Sequence, residues 1–233
     1  MKKAILSGLL VCGAVLFMVP MVYAADATTE GTITFTENNS NTSPVNPLDP
    51  AEDFSGTLTT NTTTGSEGAL TLDVIPNIDF GTQEIFASEH TYKAIVASEE
   101  LESNYLQVTD NRTLSSGKGW TITVSNTQFT SDSSTLTGAT LTIPAGEARN
   151  NLNTISSDID TTNFLTYEVA LTGTGTAQTI FKTADTADDM TGKGTSTSTW
   201  PAANVTLTVP QLTAQEGSYA STITWTLTAG ATT

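Results

Sequence analysis

Two tryptophan-containing segments are the residues best suited to chemistry in this chain of 233 residues. They read Trp120-Thr121-Ile122 and Trp225-Thr226-Leu227. Residues two apart lie on one face of a β-strand, so each segment presents an indole and an aliphatic side chain together, with threonine on the other face. An indole joins a large apolar surface to an N–H donor, which suits either a core or a groove that receives a sugar or a peptide. Periodicity alone favours the core, and both interpretations stay open here.

Conventional catalytic side chains are scarce. His90 is the only histidine, and its neighbourhood, Ser88-Glu89-His90-Thr91-Tyr92, has no informative spacing to an acid and a serine. None of the 24 acidic residues lies in a motif flanked by aromatic residues that would mark the catalytic carboxylate pair of a glycosidase. We therefore predict that the chain is not an enzyme, has no catalytic residues and uses no cofactor.

One acidic loop could suggest a hard cation. It contains Asp185, Asp188 and Asp189 but lacks the glycine and the distal glutamate of a calcium loop. A solvated acidic loop is the better interpretation, so we predict no metal site.

The overall charge limits the class of partner. There are 24 acidic and 8 basic residues, for a net charge of −16, so charge alone disfavours binding to nucleic acid or to an anionic membrane surface. Threonine and serine number 48 and 20, which favours strands and turns over helices.

The first 24 residues have the pattern of a secretory signal peptide. A basic start, an apolar run and the small-residue site Val22-Tyr23-Ala24 follow in order. A retained anchor is disfavoured by Pro20 and by the acidic flank, and lipidation by Val11 before the single cysteine, Cys12. Cleavage after Ala24 would remove Lys2 and Lys3, change the net charge from −16 to −18 and leave no cysteine or membrane span.

The sequence after the signal divides into three parts. Residues 25–37 contain the alternating run Gly31-Thr32-Ile33-Thr34-Phe35-Thr36, which predicts a strand. Residues 38–54, rich in Pro, Asn and Asp, predict a mobile linker. Residues 55–233 form the main domain.

Period-two alternation recurs along the main domain, with turn residues between the runs. It appears at Leu70/Leu72/Val74, Trp120/Ile122/Val124, Leu141/Ile143, Tyr167/Val169/Leu171, Val205/Leu207/Val209 and Ile223/Trp225/Leu227. This pattern predicts an all-β fold, an antiparallel β-sandwich of Ig-like or Greek-key type. Helical turns are expected at most at residues 98–103 or 147–151.

Around the tryptophan segments the sequence resembles the WxL-domain family of cell-wall surface proteins of Gram-positive bacteria. The likeness runs from about residue 31 to 228 and departs from the usual motif at Ile122, where leucine is usual. Besides the two motifs it rests on Gly31–Phe35, Val74-Ile75-Pro76-Asn77-Ile78-Asp79-Phe80-Gly81, Leu106-Gln107-Val108-Thr109-Asp110-Asn111-Arg112, Gly138-Ala139-Thr140-Leu141-Thr142, Val205-Thr206-Leu207-Thr208-Val209-Pro210 and Gly217-Ser218-Tyr219.

The resemblance implies a secreted protein at the cell surface, attached non-covalently to the wall by peptidoglycan binding through Trp120, Thr121, Ile122, Trp225, Thr226 and Leu227. It also implies WxL-interacting surface proteins, and host matrix proteins for some members, as partners. The alternative is a protein-interaction subunit of a surface complex or an adhesin, in which the tryptophan motifs are core. A secreted wall hydrolase is a third class, and it would need a carboxylate site that the sequence does not locate.

Overall fold

The computed structural model describes residues 29–95, 103–113, 118–185 and 190–230. The chain divides into two compact units, Met1–Phe35 and Thr36–Thr233. In the first unit, the described residues 29–35 form no regular secondary structure, and Ile33 and Phe35 are exposed. The strand predicted for residues 31–36 is thus absent, because alternation gives a strand only where a neighbouring strand pairs with it. The predicted signal peptide lies outside the described residues.

In the described part of the second unit the regular secondary structure is short β-strands, apart from a 3-10 turn at Ala202–Asn204. The strands are β1 (Val45–Asn46), β2 (Asp49–Asp53), β3 (Asn61–Thr63), β4 (Leu70–Pro76), β5 (His90–Lys93), β6 (Ser103–Asp110), β7 (Trp120–Asn126), β8 (Thr140–Ile143), β9 (Glu147–Asn150), β10 (Phe164–Thr166), β11 (Val169–Leu171), β12 (Gln178–Thr183), β13 (Gly194–Pro201), β14 (Thr206–Val209) and β15 (Ile223–Ala229).

The strands form four sheets, and every pairing between the named strands is antiparallel. Their orders are β1-β2, β10-β12-β7-β15, β11-β8-β14-β5 and β3-β4-β6-β13-β9. The second of these contains both tryptophan motifs and is called the motif sheet below. In it, β15 is an edge strand and β7 lies between β12 and β15.

The three larger sheets share one apolar core. Strand β6 contributes Leu106 and Val108, β7 contributes Ile122, and β14 contributes Leu207. Sheets that bury one face each against a common core form a sandwich. The predicted all-β antiparallel sandwich is therefore confirmed.

The segment expected to be a mobile linker is instead an ordered hairpin. Strands β1 and β2 pair within it, and Val45 is buried. The Val45 N–H donates to Oε1 of Gln107 (2.9 Å), and Nε2 of Gln107 donates to the Ser43 carbonyl oxygen (3.0 Å). The hydroxyl of Thr197 donates to the Pro47 carbonyl oxygen (2.9 Å). Proline removes a donor but keeps its carbonyl, so a proline-rich segment can still dock by accepting hydrogen bonds.

A buried carboxyl lies in this polar region of the five-stranded sheet. Asp73 Oδ2 accepts hydrogen bonds from the Thr109 hydroxyl (2.6 Å) and from Nε2 of Gln107 (3.2 Å). Burial raises the pKa of Asp73, and the hydrogen bonds from its neighbours oppose this rise. Burial, with the charge of Asp73 as a smaller cause, also raises the pKa of Tyr105.

Two further details differ from the expectations. Glu147–Asn150 forms strand β9 rather than a helical turn, because it pairs with β13. Of the other stretch, residues 98–103, residues 98–102 lie outside the described residues and Ser103 begins strand β6. Strand β13, rich in Thr and Ser, lacks the apolar alternation that predicts a strand, and near its end it contains Trp200, which is buried like Trp120.

Candidate functional site

The fold places the two tryptophan motifs on neighbouring strands of the motif sheet. Strand β7 pairs with β15 so that Ile122 lies opposite Leu227 and Thr123 lies opposite Thr226. Trp120 lies opposite Ala229, whereas Trp225 lies opposite Val124. The third residues of the two motifs therefore meet, while the two indoles lie at different points along the ladder.

The first motif lies in the core. Trp120 is 0% exposed, and its indole packs edge-on against Phe181 (ring centroids 4.8 Å apart, 81° between planes) and beside Phe164 (5.9 Å). Thr121 and Ile122 are 1% and 0% exposed. The structure therefore places Trp120, Thr121 and Ile122, which were predicted as binding residues, in the core.

The polar atom of the first indole is satisfied by a glycine that the sequence did not single out. Nε1 of Trp120 donates to the Gly192 carbonyl oxygen at 3.1 Å. Gly192 has a φ of +78°, and a Cβ placed on it would lie 2.7 Å from Nε1 of Trp120 and 2.5 Å from Cγ2 of Thr183. Glycine is thus required here both by backbone conformation and by close approach. Its positive φ leaves no distinct signal in the sequence.

The second motif lies at the open edge of the same sheet. Trp225 and Leu227 are partly buried against the core, whereas Thr226 is exposed on the other face. Together with Leu70, Leu72 and Ile75 of β4, the two side chains line a groove of about 750 Å³, called the Trp225 groove. The difference from Trp120 arises because β15 has a strand on one side only, whereas β7 is covered on both.

The Trp225 groove has a polar end that is held in place by the core. Arg112 lines the groove, and its Nε and Nη2 atoms donate to the two carboxylate oxygens of Asp110 (2.9 and 2.7 Å). Nη2 also donates to the carbonyl oxygen of Gly119 (2.8 Å), next to Trp120. Lys193 Nζ lies 3.3 Å from the same carboxylate. A bidentate ion pair of this kind fixes the guanidinium, so the groove is preformed at this end.

Hydroxyl groups and one acid complete the lining. The side-chain oxygens of Thr64 and Ser66 lie 2.8 Å apart, and the Thr64 hydroxyl also donates to the Leu72 carbonyl oxygen. Of the described residues that line the groove, Arg112 is the one cation and Glu67 the one acid. The groove is thus close to neutral in a chain of net charge −16. An indole, aliphatic walls and hydroxyls can hold a sugar or amide ligand by contact.

The other candidate residues lie elsewhere. His90 is in β5, stacked on Phe86 with ring centroids 3.9 Å apart. Asp185 Oδ1 accepts from Nζ of Lys182 (2.7 Å), and Asp188 and Asp189 are outside the described residues. Within the described ranges, no three His, Cys, Asp or Glu side chains come together as a metal-binding group. The same ranges hold no helix long and apolar enough to cross a membrane.

Comparison with known protein families identifies a match that covers most of the chain. Residues 23–230 match the model of a family described as the WxL domain, surface cell wall-binding. No curated protein and no solved structure matches the chain.

Proposed function

We propose that this chain, which belongs to the WxL family of cell wall-binding surface domains, is a secreted protein that binds peptidoglycan non-covalently through the Trp225 groove. The observation that carries the proposal is the partly exposed pair Trp225 and Leu227 at the mouth of a preformed groove. The proposal contains no chemical step, so the protein acts as a binding module rather than as an enzyme.

Recognition in this proposal depends on contact chemistry. The Trp225 indole provides a flat apolar face for a sugar ring or an acetamido group, and its N–H is a donor. Leu227 and Leu70 provide aliphatic contact, and Thr64 and Ser66 offer hydroxyls. Peptidoglycan combines sugar rings, amides and short peptides, which matches these groups in kind.

The role of the first motif follows from its position. Ile122 lies directly opposite Leu227 in the ladder, and Trp120 fills the core behind it. In this proposal Trp120, Thr121 and Ile122 fix the strand on which the contact residues of the second motif depend, and they do not touch the wall themselves.

Electrostatics set a condition on wall binding. The chain carries a net charge of −16, and −18 without Lys2 and Lys3, so it is repelled by an anionic wall at neutral pH and low salt. Binding at the near-neutral Trp225 groove should strengthen when salt screens the charges or acid neutralises them. We expect more wall-bound protein near about pH 4 to 5 than near about pH 8 at low salt. Equal amounts at both would contradict the electrostatic account.

Sedimentation with purified peptidoglycan tests the proposal. The chain without residues 1–24 is compared with Trp225→Ala and with Leu212→Ala, a control that removes an apolar side chain 80% exposed outside the groove. We expect Trp225→Ala to weaken binding by about tenfold or more, as for a central aromatic contact, and Leu212→Ala to bind like the wild type.

Two results would overturn the assignment. If a folded Trp225→Ala protein binds peptidoglycan as tightly as the wild type does, the groove is not the contact site. Failure of the wild type to sediment with peptidoglycan, together with binding to a co-exported protein or to host matrix, would favour the protein-interaction or adhesin alternative.

A further inference from the structure

A second concave surface lies at the other end of β15. Four aromatic side chains line it, Phe80, Tyr92, Phe129 and Tyr219, and we call it the aromatic cleft. Its volume is about 760 Å³, and residues 78–85 and 214–221 form its two sides. It shares only Ile223 with the Trp225 groove among the described lining residues.

The floor of the cleft is the protein core itself. Leu136, Leu207 and Val209 are buried, and they belong both to the core and to the lining. An occupant therefore meets aliphatic side chains at the bottom and aromatic rings on the sides. At this apolar floor an apolar side chain is favoured over a hydroxylated sugar ring, because a hydroxyl buried against Leu136, Leu207 and Val209 would lose its water without gaining a partner there.

The walls are held by contacts within the second unit. The Tyr92 hydroxyl donates to the Glu84 carbonyl oxygen (2.8 Å), and Phe80 packs edge-on against Phe129 with ring centroids 6.5 Å apart. The Tyr219 hydroxyl lies 3.3 Å from both the backbone nitrogen and the carbonyl oxygen of Gln215. The cleft is thus formed before any partner binds, which lowers the ordering cost of binding.

The charge around the aromatic cleft has one sign. Asp79, Glu84 and Glu216 line it and are exposed, and among the described lining residues there is no Lys, Arg or His. A cationic group held near these carboxylates would gain Coulomb attraction, and a lysine or arginine could also lie over an aromatic face.

We propose that the aromatic cleft binds a peptide segment of another protein in which apolar residues alternate with basic ones. The apolar side chains enter between the aromatic walls onto Leu207 and Val209, and the basic side chains reach Glu84 and Glu216. This partner site is separate from the wall-binding Trp225 groove and does not depend on it.

Fluorescence anisotropy with three labelled peptides tests this proposal. The probe is a ten-residue peptide that alternates leucine and lysine. In one matched peptide glutamate replaces lysine, and in the other serine replaces leucine. We expect saturable binding of the leucine–lysine peptide to the chain without residues 1–24, weakened by salt, and no saturable binding of the other two up to about 1 mM.

A charge-matched pair of double variants locates the site. Glu84→Gln with Glu216→Gln removes two carboxylates of the cleft and spares the Tyr92 contact, which uses the Glu84 backbone. Glu52→Gln with Glu168→Gln changes the net charge equally at exposed positions outside the cleft. We expect the first pair to raise Kd about 2- to 30-fold, the range for two exposed ion pairs, and the control pair to leave it unchanged.

The outcomes separate this proposal from the wall-binding one. Trp225→Ala should retain peptide binding while losing wall binding, and the cleft variants should do the reverse. Equal binding of the glutamate peptide, equal weakening by both double variants, or binding of soluble peptidoglycan fragments that competes with the peptide would overturn the proposal.

Discussion

Replacement of Trp120 by alanine should lower mainly stability, and replacement of Trp225 should lower mainly binding, although the two residues lie in near-identical motifs. Trp120 is fully buried against Phe164 and Phe181, and its indole nitrogen donates to Gly192. Trp225 is partly buried at a sheet edge. Trp120→Ala should therefore act on stability, and Trp225→Ala on binding.

The expected magnitudes follow from these contacts. Truncating a buried tryptophan costs about 3–5 kcal/mol of unfolding free energy. Trp120→Ala should lie at the upper end, because it also ends the edge-on aromatic contact and leaves the Gly192 carbonyl oxygen without its donor. Trp225→Ala removes an indole that is only partly buried, so about 1–2 kcal/mol is expected. Domains of this kind are stable by about 5–15 kcal/mol, so Trp120→Ala leaves little reserve.

Equilibrium urea unfolding measures both losses, followed by far-ultraviolet circular dichroism, which reports mainly on the backbone. Wild type and the two variants are compared in the same buffer, and the same samples are tested for sedimentation with peptidoglycan. If Trp120→Ala lowers the unfolding free energy no more than Trp225→Ala does, the assignment of the first motif to the core is refuted.

Two further stability predictions follow from single side chains. Gly192→Ala should lower the free energy of unfolding by about 2–4 kcal/mol, because the added Cβ would be strained by the positive φ and would overlap Trp120 and Thr183. The control Gly175→Ala shares the positive φ, but its Cβ would meet no atom within 4 Å. Equal losses of stability in urea unfolding would contradict the overlap argument. Burial raises the pKa of Asp73, so the Asp73 carboxyl binds a proton more readily in the folded state than in the unfolded state. The contribution of Asp73 to stability therefore grows as pH falls, and it is lost as pH rises through the raised pKa. Wild type should therefore gain stability relative to Asp73→Asn between about pH 7 and about pH 4, and parallel unfolding profiles over this range would contradict this account.

The regular strands could be predicted where one face is apolar. The alternation at residues 70–74, 120–124, 141–143, 205–209 and 223–227 falls on strands β4, β7, β8, β14 and β15. Period-two alternation reports directly which face of a strand is buried. Strand β13 could not be found in this way, because its Thr and Ser residues are buried on both faces, and the hairpin of β1 and β2 is held by hydrogen bonds to distant residues such as Gln107 and Thr197.

By itself, the sequence determined the all-β class, the acidity that limits the partners, and the family, since each depends on composition or on the order of local motifs. Only the tertiary structure decided that Trp120 is core and Trp225 is at a groove, because the same local pattern lies on an inner strand in one case and on an edge strand in the other. It also brought Phe80, Phe129 and Tyr219 into one cleft. Residues so far apart along the chain come into contact only through strand pairing and core packing, so no local sequence pattern predicts that they share a cleft.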